Sequence, residues 1–443
     1  MERITTKFGI LGMARSGLAA AAKITELGGN VFISEFKPED KIENAAEIKK
    51  KFTCEFGGHS DEILANDVII LSPGIPQTIP ILQKAKTKNI EVISEIEFGY
   101  RIKHPGSKII AVTGSNGKST TVSLIHHILQ TAGFKAIPAG NIGTAFTAFP
   151  IEKPGIDFIV LELSSFQLEL IATFKPDVAA VLNITPDHLN RYKNMDEYAK
   201  AKFNIFRNMN LADLAILNSD DEFTQKFSSS IKAGIKYFSL SGKSDIEFSK
   251  KKNLTYRGKT ISIENATIKG PHNIANIMAS ILAVSPFEIT EEKIEKAIST
   301  FRPLPHRLEF VEEIDGISFY NDSKATNTDS VKYALRSFPK PVRIIMGGAG
   351  KGEDYSILNP ILKKHAKKIY LVGDTRFEMA EAFKDTVEIE IFESYEAVIN
   401  AAFNDSFHGD VIVLSPACTS YDMFKNFEER GERFKQIVRN LKR

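Results

Sequence analysis

The sequence predicts an α/β protein made of three successive parallel-sheet domains. Three observations carry that prediction. Short apolar runs alternate with longer helical patterns along almost the whole chain. Two proline-marked breaks, near residues 104 and 303, interrupt the alternation. The length of 443 residues suits about three domains at roughly 150 residues each.

In the first series, strands are expected at Phe8–Leu11, Val31–Ser34, Val68–Leu71 and Glu91–Ile93, with helices at Gly17–Leu27 and Ile79–Lys86. That order reads as βαβ units. The turn His104-Pro105-Gly106-Ser107 closes it. The second series opens with a strand at Lys108–Thr113 and a helix from Lys118. Further strands are expected at Phe158–Leu163, Val178–Ile184 and Leu214–Asn218. Short alternating runs around Arg257-Gly258 mark Asp245–Thr267 as a small β excursion. Two prolines in Arg302-Pro303-Leu304-Pro305 disfavour helix and favour an extended linker. The third series has strands at Ile317–Tyr320, Val342–Met346, Lys368–Val372 and Val411–Leu414, then a final helix over Phe424–Asn440.

Composition excludes several classes. Lys+Arg total 57 against 55 Asp+Glu, a formal net charge of +2. That balance argues against nucleic acid as the main partner, because neutralising phosphates needs a basic excess on one face. Hydrophobic residues at 43% and charged residues at 25% exclude a disordered chain. Cys54 and Cys418 are the two cysteines, too few for a disulfide framework or thiolate cluster, and a reducing cytosol suits them. No apolar run reaches the roughly 18 residues that span a bilayer. Gly9, Gly12, Arg15 and Gly17 break the first apolar stretch and no small-residue cleavage site follows, so a secretory signal is not expected. The expected setting is the cytoplasm.

The strongest local motif is Thr113-Gly114-Ser115-Asn116-Gly117-Lys118-Ser119-Thr120. It follows an apolar strand and opens a helix, as a phosphate-binding loop must. Backbone N–H groups of such a turn point at phosphate oxygens, and the helix N-terminus adds partial positive charge. Lys118 would reach the outer phosphates and the Ser119 hydroxyl would ligate Mg²⁺. Two residues, rather than the usual four, separate Gly114 from Gly117, so the motif is a variant. The plainer reading is a tight strand-to-helix turn with an exposed lysine.

Gly12-Met13-Ala14-Arg15-Ser16-Gly17 approximates a dinucleotide fingerprint, with Glu35 at the end of the next strand as a possible ribose or base ligand. A Gly-rich first turn in any α/β domain would look the same. Glu162 just past its strand could hold the nucleotide's Mg²⁺, or be a solvated strand end. Asp187 and His188 follow the next strand. Polar residues cluster at His306-Arg307, Asn321–Asn327, Gly347–Gly352 and Ser415–Phe427, several at strand carboxyl ends, where ligands of open α/β sheets gather. Each alone could be a loop. Cys418 reads as a buried small residue rather than a nucleophile.

Together, TGSNGKST, the Asn183–His188 segment, GPHNIAN at Gly270–Asn276, LPHR at Leu304–Arg307 and NDSKATN at Asn321–Asn327 resemble the sites of the Mur ligases, the ATP-dependent amide-forming enzymes of peptidoglycan synthesis. The resemblance spans essentially the whole chain. ELSSFQLE from Glu162, SPGI from Ser72, GNIG from Gly140 and SPACTSYDMFKNFEERG from Ser415 are similar to the branch that adds D-glutamate to UDP-N-acetylmuramoyl-L-alanine.

The resemblance implies a Rossmann-like domain over 1–104 for the UDP substrate, a central P-loop mononucleotide-binding parallel sheet over 105–302, and a Rossmann-like domain over 303–443 for the amino acid. It implies UDP-substrate contacts at Arg15, Ser16, Glu35, Phe36, Lys37 and Gly74, with Asn141, Ser164 and Gln167 on the muramoyl-alanine part. ATP would meet Gly114, Asn116, Gly117, Lys118, Ser119, Thr120, Asn273, His306, Arg307 and Asp322. Two Mg²⁺ sites are implied, with Ser119 and Glu162 at the first, His188 at the second, and a CO₂-derived carbamate on Lys202 as a further ligand. An ammonium cannot ligate Mg²⁺, whereas a carbamate offers the anionic oxygen a hard cation takes. The plainer reading of Lys202 is a surface helix lysine, and Lys200 competes for the role. Lys324, Thr326, Ser420, Tyr421 and Phe427 would orient D-glutamate, with Tyr421 standing where many relatives have phenylalanine. Lys118, His188 and Lys202 would be the catalytic residues. The partners implied are the two small substrates, with no nucleic acid, no membrane span and a monomeric chain.

Another Mur-family or folylpolyglutamate-type ligase on the same scaffold is the alternative. An NAD-dependent dehydrogenase, suggested by the first Gly-rich turn, and a non-catalytic nucleotide switch are rivals from other classes.

Overall fold

The computed structural model describes residues 5–187, 191–249, 252–302 and 305–441. The chain forms two compact units, one comprising Met1–Asn183, Tyr198–Asn265 and Ala275–Ser299, the other Ile184–Glu197, Ala266–Ile274 and Thr300–Arg443.

The first unit holds two parallel sheets. Strands β1 (Lys7–Leu11), β2 (Asn30–Glu35), β3 (Thr53–Phe56), β4 (Val68–Leu71) and β5 (Glu91–Ile93) line up in the order β3-β2-β1-β4-β5. Strands β6 (Lys108–Thr113), β7 (Ala136–Gly140), β8 (Phe158–Glu162), β9 (Val178–Val181), β10 (Leu214–Asn218) and β11 (Gly234–Phe238) line up as β11-β10-β9-β6-β8-β7. The expected β excursion is a three-stranded antiparallel sheet of β12 (Ile246–Ser249), β13 (Asn253–Tyr256) and β14 (Lys259–Ser262). The near-continuous apolar runs of β4, β6 and β8 follow from burial on both faces, as parallel sheets require.

Carboxylates tie the two parallel sheets together. Ser94 caps the helix Glu95–Ile102 by accepting from Glu97 N. From that helix, Glu95 accepts from Thr147 N at 2.6 Å and Thr147 Oγ1 at 2.8 Å. Glu97 accepts from the backbone N–H groups of Ala172, Thr173 and Phe174, from Thr173 Oγ1 and from Arg101 Nε. Lys23 reaches Glu152 at 3.0 Å, and both side chains are buried. The two glutamates are two residues apart and shifted oppositely. Burial pushes Glu95 up to about 7, with the Thr147 bonds only partly opposing. Burial also works to raise Glu97, but its many donors outweigh it and hold the carboxyl below the usual range.

The second unit is built on β15 (Glu309–Ile314), β16 (Ile317–Asn321), β17 (Val342–Met346), β18 (Ala366–Leu371), β19 (Ile389–Ile391) and β20 (Val411–Leu414), in the order β15-β16-β20-β17-β18-β19. Only β15 is antiparallel, paired to β16 across a bulge between Phe310 and Glu312. One face packs Phe319, Tyr370, Phe403 and Phe434, the other Val331, Leu335, Leu362 and Phe383. Burying each such aromatic contributes about 2–3 kcal/mol.

Several expected boundaries move for local reasons. The final helix is Phe427–Asn440 rather than 424–440, because Asn426 caps it by accepting from Glu429 N. Strand β9 ends at Val181 rather than Ile184, and β8 at Glu162 rather than Leu163, because the chain there turns across the P-loop. Strand β18 runs Ala366–Leu371 rather than 368–372. The expected Gly17–Leu27 and Ile79–Lys86 helices are Arg15–Glu26 and Pro80–Thr87. Strands β3, β7 and β15 had no apolar run to betray them: at sheet edges, β3 carries Glu55 and β15 carries Glu309, Glu312 and Glu313, and β7 carries Pro138 on its edge. The Pro303 and Leu304 positions of the second linker lie outside the described residues.

Candidate functional site

The phosphate-loop sequence folds as its residue types require. Strand β6 ends at Thr113, the loop turns through Gly114 at φ +150° and Gly117 at φ +83°, and the helix Lys118–Ala132 begins. Both glycines hold the left-handed region that side chains avoid. Lys118 Nζ donates to Gly114 O and Ser115 O, each at 2.8 Å. Asn183, at the end of β9, clamps the loop. Its carbonyl accepts from Ser115 N at 2.9 Å, its Oδ1 accepts from Asn116 N at 2.8 Å, and its Nδ2 donates to Asn116 O at 3.0 Å. Asn276, in the helix Pro271–Val284, lies so close that a Cβ on Gly117 would strike its Oδ1.

Lys202 reaches the same loop from the helix Met195–Phe203. Its Nζ donates to Gly114 O at 2.9 Å and lies 4.6 Å from the Tyr198 ring centroid, and the residue is 2% exposed. Tyr198 OH is 3.3 Å from Ser115 Oγ. Lys200 is exposed, so its rival claim to the position has no geometric support.

Glu162 closes β8, beside Val112 of β6. It is 1% exposed, and its Oε1 accepts from Asn141 Nδ2 at 2.8 Å. Ser119, in the first turn of the P-loop helix, is buried. Two oxygen donors of this kind fit Mg²⁺, which commonly takes one or two protein oxygens and completes its shell with phosphate and water. Among the described residues, no group of three His, Cys, Asp or Glu side chains assembles a metal site. His188 lies outside the described residues.

At the carboxyl end of β1, Gly12 N donates to Ser34 O and Ser72 Oγ donates to Gly12 O. Glu35 accepts from Met13 N at 2.7 Å and Lys37 N at 3.0 Å, so its carboxylate shapes the first turn. Arg15 donates to Gly143 O in the GNIG loop, linking the first sheet to the loop that carries Asn141. Phe36 is 71% exposed, Lys37 is exposed, Ser16 is half-buried, and Gly74 has open space around it. Ser164 and Gln167 form a reciprocal capping box at the start of a short helix, the pattern ELSSFQ encodes.

The second unit gathers the remaining expected residues. Asp322 Oδ1 accepts from Leu308 N at 3.2 Å and Oδ2 from Ser415 Oγ at 2.9 Å. Burial pushes its carboxyl up to about 7, opposed chiefly by the Arg307 charge. Burial and the same guanidinium push His272 down to about 4. His306 is buried, 2.9 Å from Asn321 Nδ2 and hard against Gly431, and burial lowers its pKa. Lys324 Nζ lies 5.1 Å from the Phe427 ring centroid. Thr326 N donates to Lys324 O, Ser420 is buried, and Tyr421 is 73% exposed. Asn273 Nδ2 donates to Lys269 O in this unit. Asn276, the last residue of GPHNIAN, is the one whose Oδ1 lies against Gly117.

Four positions of consequence were missed in the sequence. Asn183 and Asn276 stood inside quoted motifs but were passed over. Arg430, 1% exposed, donates to Ser323 O, Cys418 O and Thr419 O, and so holds two of the expected loops together. Lys351 Nζ pairs with Asp187 at 2.9 Å. Cys418 is buried as expected, its Sγ 3.1 Å from Tyr355 OH.

Comparison with known proteins gives a consistent set of matches. Residues 6–94 match the model of the Mur ligase MurD-like N-terminal domain, 112–284 the Mur ligase middle domain, and 306–418 the Mur ligase glutamate ligase domain. The chain is 41% identical over 449 residues to the UDP-N-acetylmuramoylalanine–D-glutamate ligase of Cytophaga hutchinsonii, covering 99% of this chain and 100% of that protein. It is 38% identical over 441 residues to the ligase of the same name from Koribacter versatilis, covering 98% and 97%. In fold it is similar to UDP-N-acetylmuramate-alanine ligase MurC from Thermotoga maritima, with a TM-score of 0.64, 19% identity and coverage of 99% and 100%. MurF ligase from Thermotoga maritima in complex with ADP gives 0.63 at 16% identity, covering 93% and 95%.

Proposed function

The chain belongs to the Mur ligase family, and from that premise we propose that it joins D-glutamate to UDP-N-acetylmuramoyl-L-alanine, with ATP converted to ADP and phosphate. The observation that carries this reading is the convergence of Lys118 and Lys202 on the Gly114 carbonyl, next to the strand end bearing Glu162. It is an ATP-dependent acid–amino-acid ligase, as the names of its full-length relatives support.

A carboxylate is a poor acyl donor, because its leaving group would be oxide. Transfer of the γ-phosphoryl group makes the substrate acid an acyl phosphate. The D-glutamate amine then attacks the acyl carbon, and phosphate leaves from the tetrahedral intermediate. The first step crowds anionic oxygens, which Lys118 and the loop's N–H groups are suited to stabilise. When bound, Mg²⁺ would sit at Ser119 and Glu162 and offset phosphate charge. Lys202, carrying a carbamate, and His188 would supply further ligands. Asn183 and Asn276 keep the loop in shape.

On this reading three functional domains divide near 104 and 302: the first binds UDP, the second ATP, and the third orients D-glutamate through Lys324, Thr326, Ser420, Tyr421 and Phe427. Asn273, His306, Arg307 and Asp322 would contact the nucleotide. The enzyme works as a cytoplasmic monomer. Among the described residues, no helix is long and apolar enough to cross a membrane.

The test is phosphate release with UDP-N-acetylmuramoyl-L-alanine, ATP, Mg²⁺ and D-glutamate, each omitted in turn. Release that requires all four supports the assignment. Release that survives replacement of D-glutamate by L-alanine, or that needs a folate in place of the UDP substrate, refutes it.

A further inference from the structure

Resting on the assignment of the Lys324–Thr326 turn to the amino-acid substrate, we propose that Glu353 is a positioning residue for D-glutamate, its carboxyl holding the Thr328 N–H and so fixing the end of the turn that carries Lys324 and Thr326.

The argument begins with how that turn is anchored. It leaves β16 at Asn321 and enters the helix Thr328–Arg336. Its head is fastened several times over. Asp322 N donates to Leu414 O at 2.8 Å, and the Asp322 carboxyl accepts from Leu308 N and Ser415 Oγ. Lys324 N donates to His306 O at 3.1 Å and Ala325 N to Asp322 O at 2.9 Å. The tail has fewer ties. Asn327 caps the helix by accepting from Ser330 N at 2.8 Å. The Thr328 N–H is one of the first-turn donors that no carbonyl of its own helix can reach. Glu353 Oε2 accepts it at 2.9 Å. Asn327 and Thr328 are both buried, so water is a poor substitute for that acceptor.

Glu353 comes from a different loop. It stands just past Gly347–Gly352, after β17. Gly352 before it has φ +74° with nothing within 4 Å of where a Cβ would stand. Asp354 after it accepts from Ser356 N at 2.9 Å and caps the turn Tyr355–Leu358. β16 and β17 are not neighbours in the sheet, because β20 lies between them. The Glu353–Thr328 bond therefore ties together two loops on either side of the strand that leads to Ser420.

Length, rather than charge, is what this contact uses. Lys351, two residues earlier, is paired with Asp187 at 2.9 Å. Oε1 of Glu353 is buried and, among the described residues, accepts no hydrogen bond. A carboxyl taken out of water with donors from a single residue offsets little of its desolvation. Burial raises its pKa, with the Thr328 N–H and hydroxyl and the Lys351 charge pulling the other way. Such a group adds little to stability, and its reach sets one acceptor oxygen at the start of the helix. The nucleotide side of the turn, at Asp322, is held by other bonds, so loss of this one falls on Lys324 and Thr326. Nothing in the string Gly-Glu-Asp-Tyr distinguishes Glu353 from the exposed Asp354 beside it, so the sequence alone does not single it out.

The test is steady-state kinetics of the full chain with UDP-N-acetylmuramoyl-L-alanine, ATP, Mg²⁺ and D-glutamate, each substrate varied in turn, with ADP binding by calorimetry as the control for an intact fold. Glu353→Asp keeps the charge but is one methylene too short to reach Thr328 N. It should raise KM for D-glutamate about tenfold, while kcat and the other two KM values change less than about twofold. Glu353→Gln keeps the length and an acceptor oxygen, and should stay within about twofold of wild type in every constant. An unchanged KM for D-glutamate in Glu353→Asp overturns the proposal. A Glu353→Gln protein as impaired as Glu353→Asp also overturns it, since charge would then be what matters. Equal losses for all three substrates, or lost ADP binding in either variant, would make Glu353 a structural residue only and overturn it too. Wild-type protein that binds ADP but forms no product with D-glutamate overturns the assignment of the turn, and the proposal with it.

Discussion

Replacing Glu95 by glutamine should remove a pH dependence of stability that the wild-type chain carries. Glu95 is fully enclosed where the first helix-capped segment meets the Phe146-Thr147 turn, and its partners there are the N–H and hydroxyl of Thr147. Burial raises its pKa from 4.5 to about 7. For an acid with a raised folded-state value, the folded chain holds a proton that the unfolded chain has lost. Stability from this group is therefore complete below about 4.5 and declines as pH climbs towards about 7. At 1.36 kcal/mol per unit, the change across that window is about 3 kcal/mol. Glutamine keeps the shape and the Thr147 acceptor but cannot ionise. Urea unfolding of both proteins at several pH values between 5 and 8 isolates the effect, because all other titrating groups cancel in the difference. The variant should gain on the wild type steadily with pH, by about 2–3 kcal/mol over the interval. Parallel stability curves would mean that Glu95 ionises normally, and the account of that junction would be wrong. Glu97, held low by its donors, acts only at the acid end, below this window.

Lys118→Ala should lower kcat by about two to three orders of magnitude, the effect of losing one charge-stabilising donor; near-normal kcat at saturating ATP removes the phosphate clamp. Gly117→Ala forces a side chain onto a φ of +83° and against Asn276 Oδ1, and equilibrium dialysis should show ATP binding largely lost while UDP binding is retained. Lys202→Ala should be impaired and partly rescued by short carboxylic acids, whose oxygens stand in for the carbamate; a fully active variant makes the carbamate dispensable. Arg430→Met leaves the carbonyls of Ser323 and Cys418 without this donor, while Thr419 O keeps Ala349 N, and should cost about 3 kcal/mol in urea unfolding; a loss under 1 kcal/mol would show that water replaces the guanidinium.

What was legible in the sequence follows from what leaves a periodic or chemical trace. The buried parallel strands Val68–Leu71, Lys108–Thr113, Leu214–Asn218, Val342–Met346 and Val411–Leu414 fall where continuous apolar runs placed them. Edge strands do not need such runs, so Thr53–Phe56 and Glu309–Ile314, which carry charged residues, leave no such trace. The P-loop was readable because glycine and lysine there have one backbone reason each. Asn183 and Asn276 were not, because an asparagine that clamps a loop from another element carries no local signature. Arg430 shows the same limit: nothing within its helix distinguishes it from Arg433, which is half-exposed and paired with Glu396.

Lys202 marks the boundary between the two kinds of legibility. Its own segment is an ordinary amphipathic helix, and only the family resemblance raised it above Lys200. The geometry gives it a physical reason. Two lysines, Lys118 and Lys202, donate to one carbonyl oxygen at Gly114. Two like charges at that range repel each other. A loop that must gather the anionic oxygens of a nucleotide uses one cation at that point, and a metal beside it needs an anion. Converting Lys202 to a carbamate, as proposed, would resolve both demands in one step, because it replaces the second cation with an oxygen ligand and gives Lys118 a partner of opposite sign. On that argument any short carboxylic acid that fits the space should rescue Lys202→Ala, because all of them are anions near neutral pH, and a neutral amide of the same size should give no rescue at all.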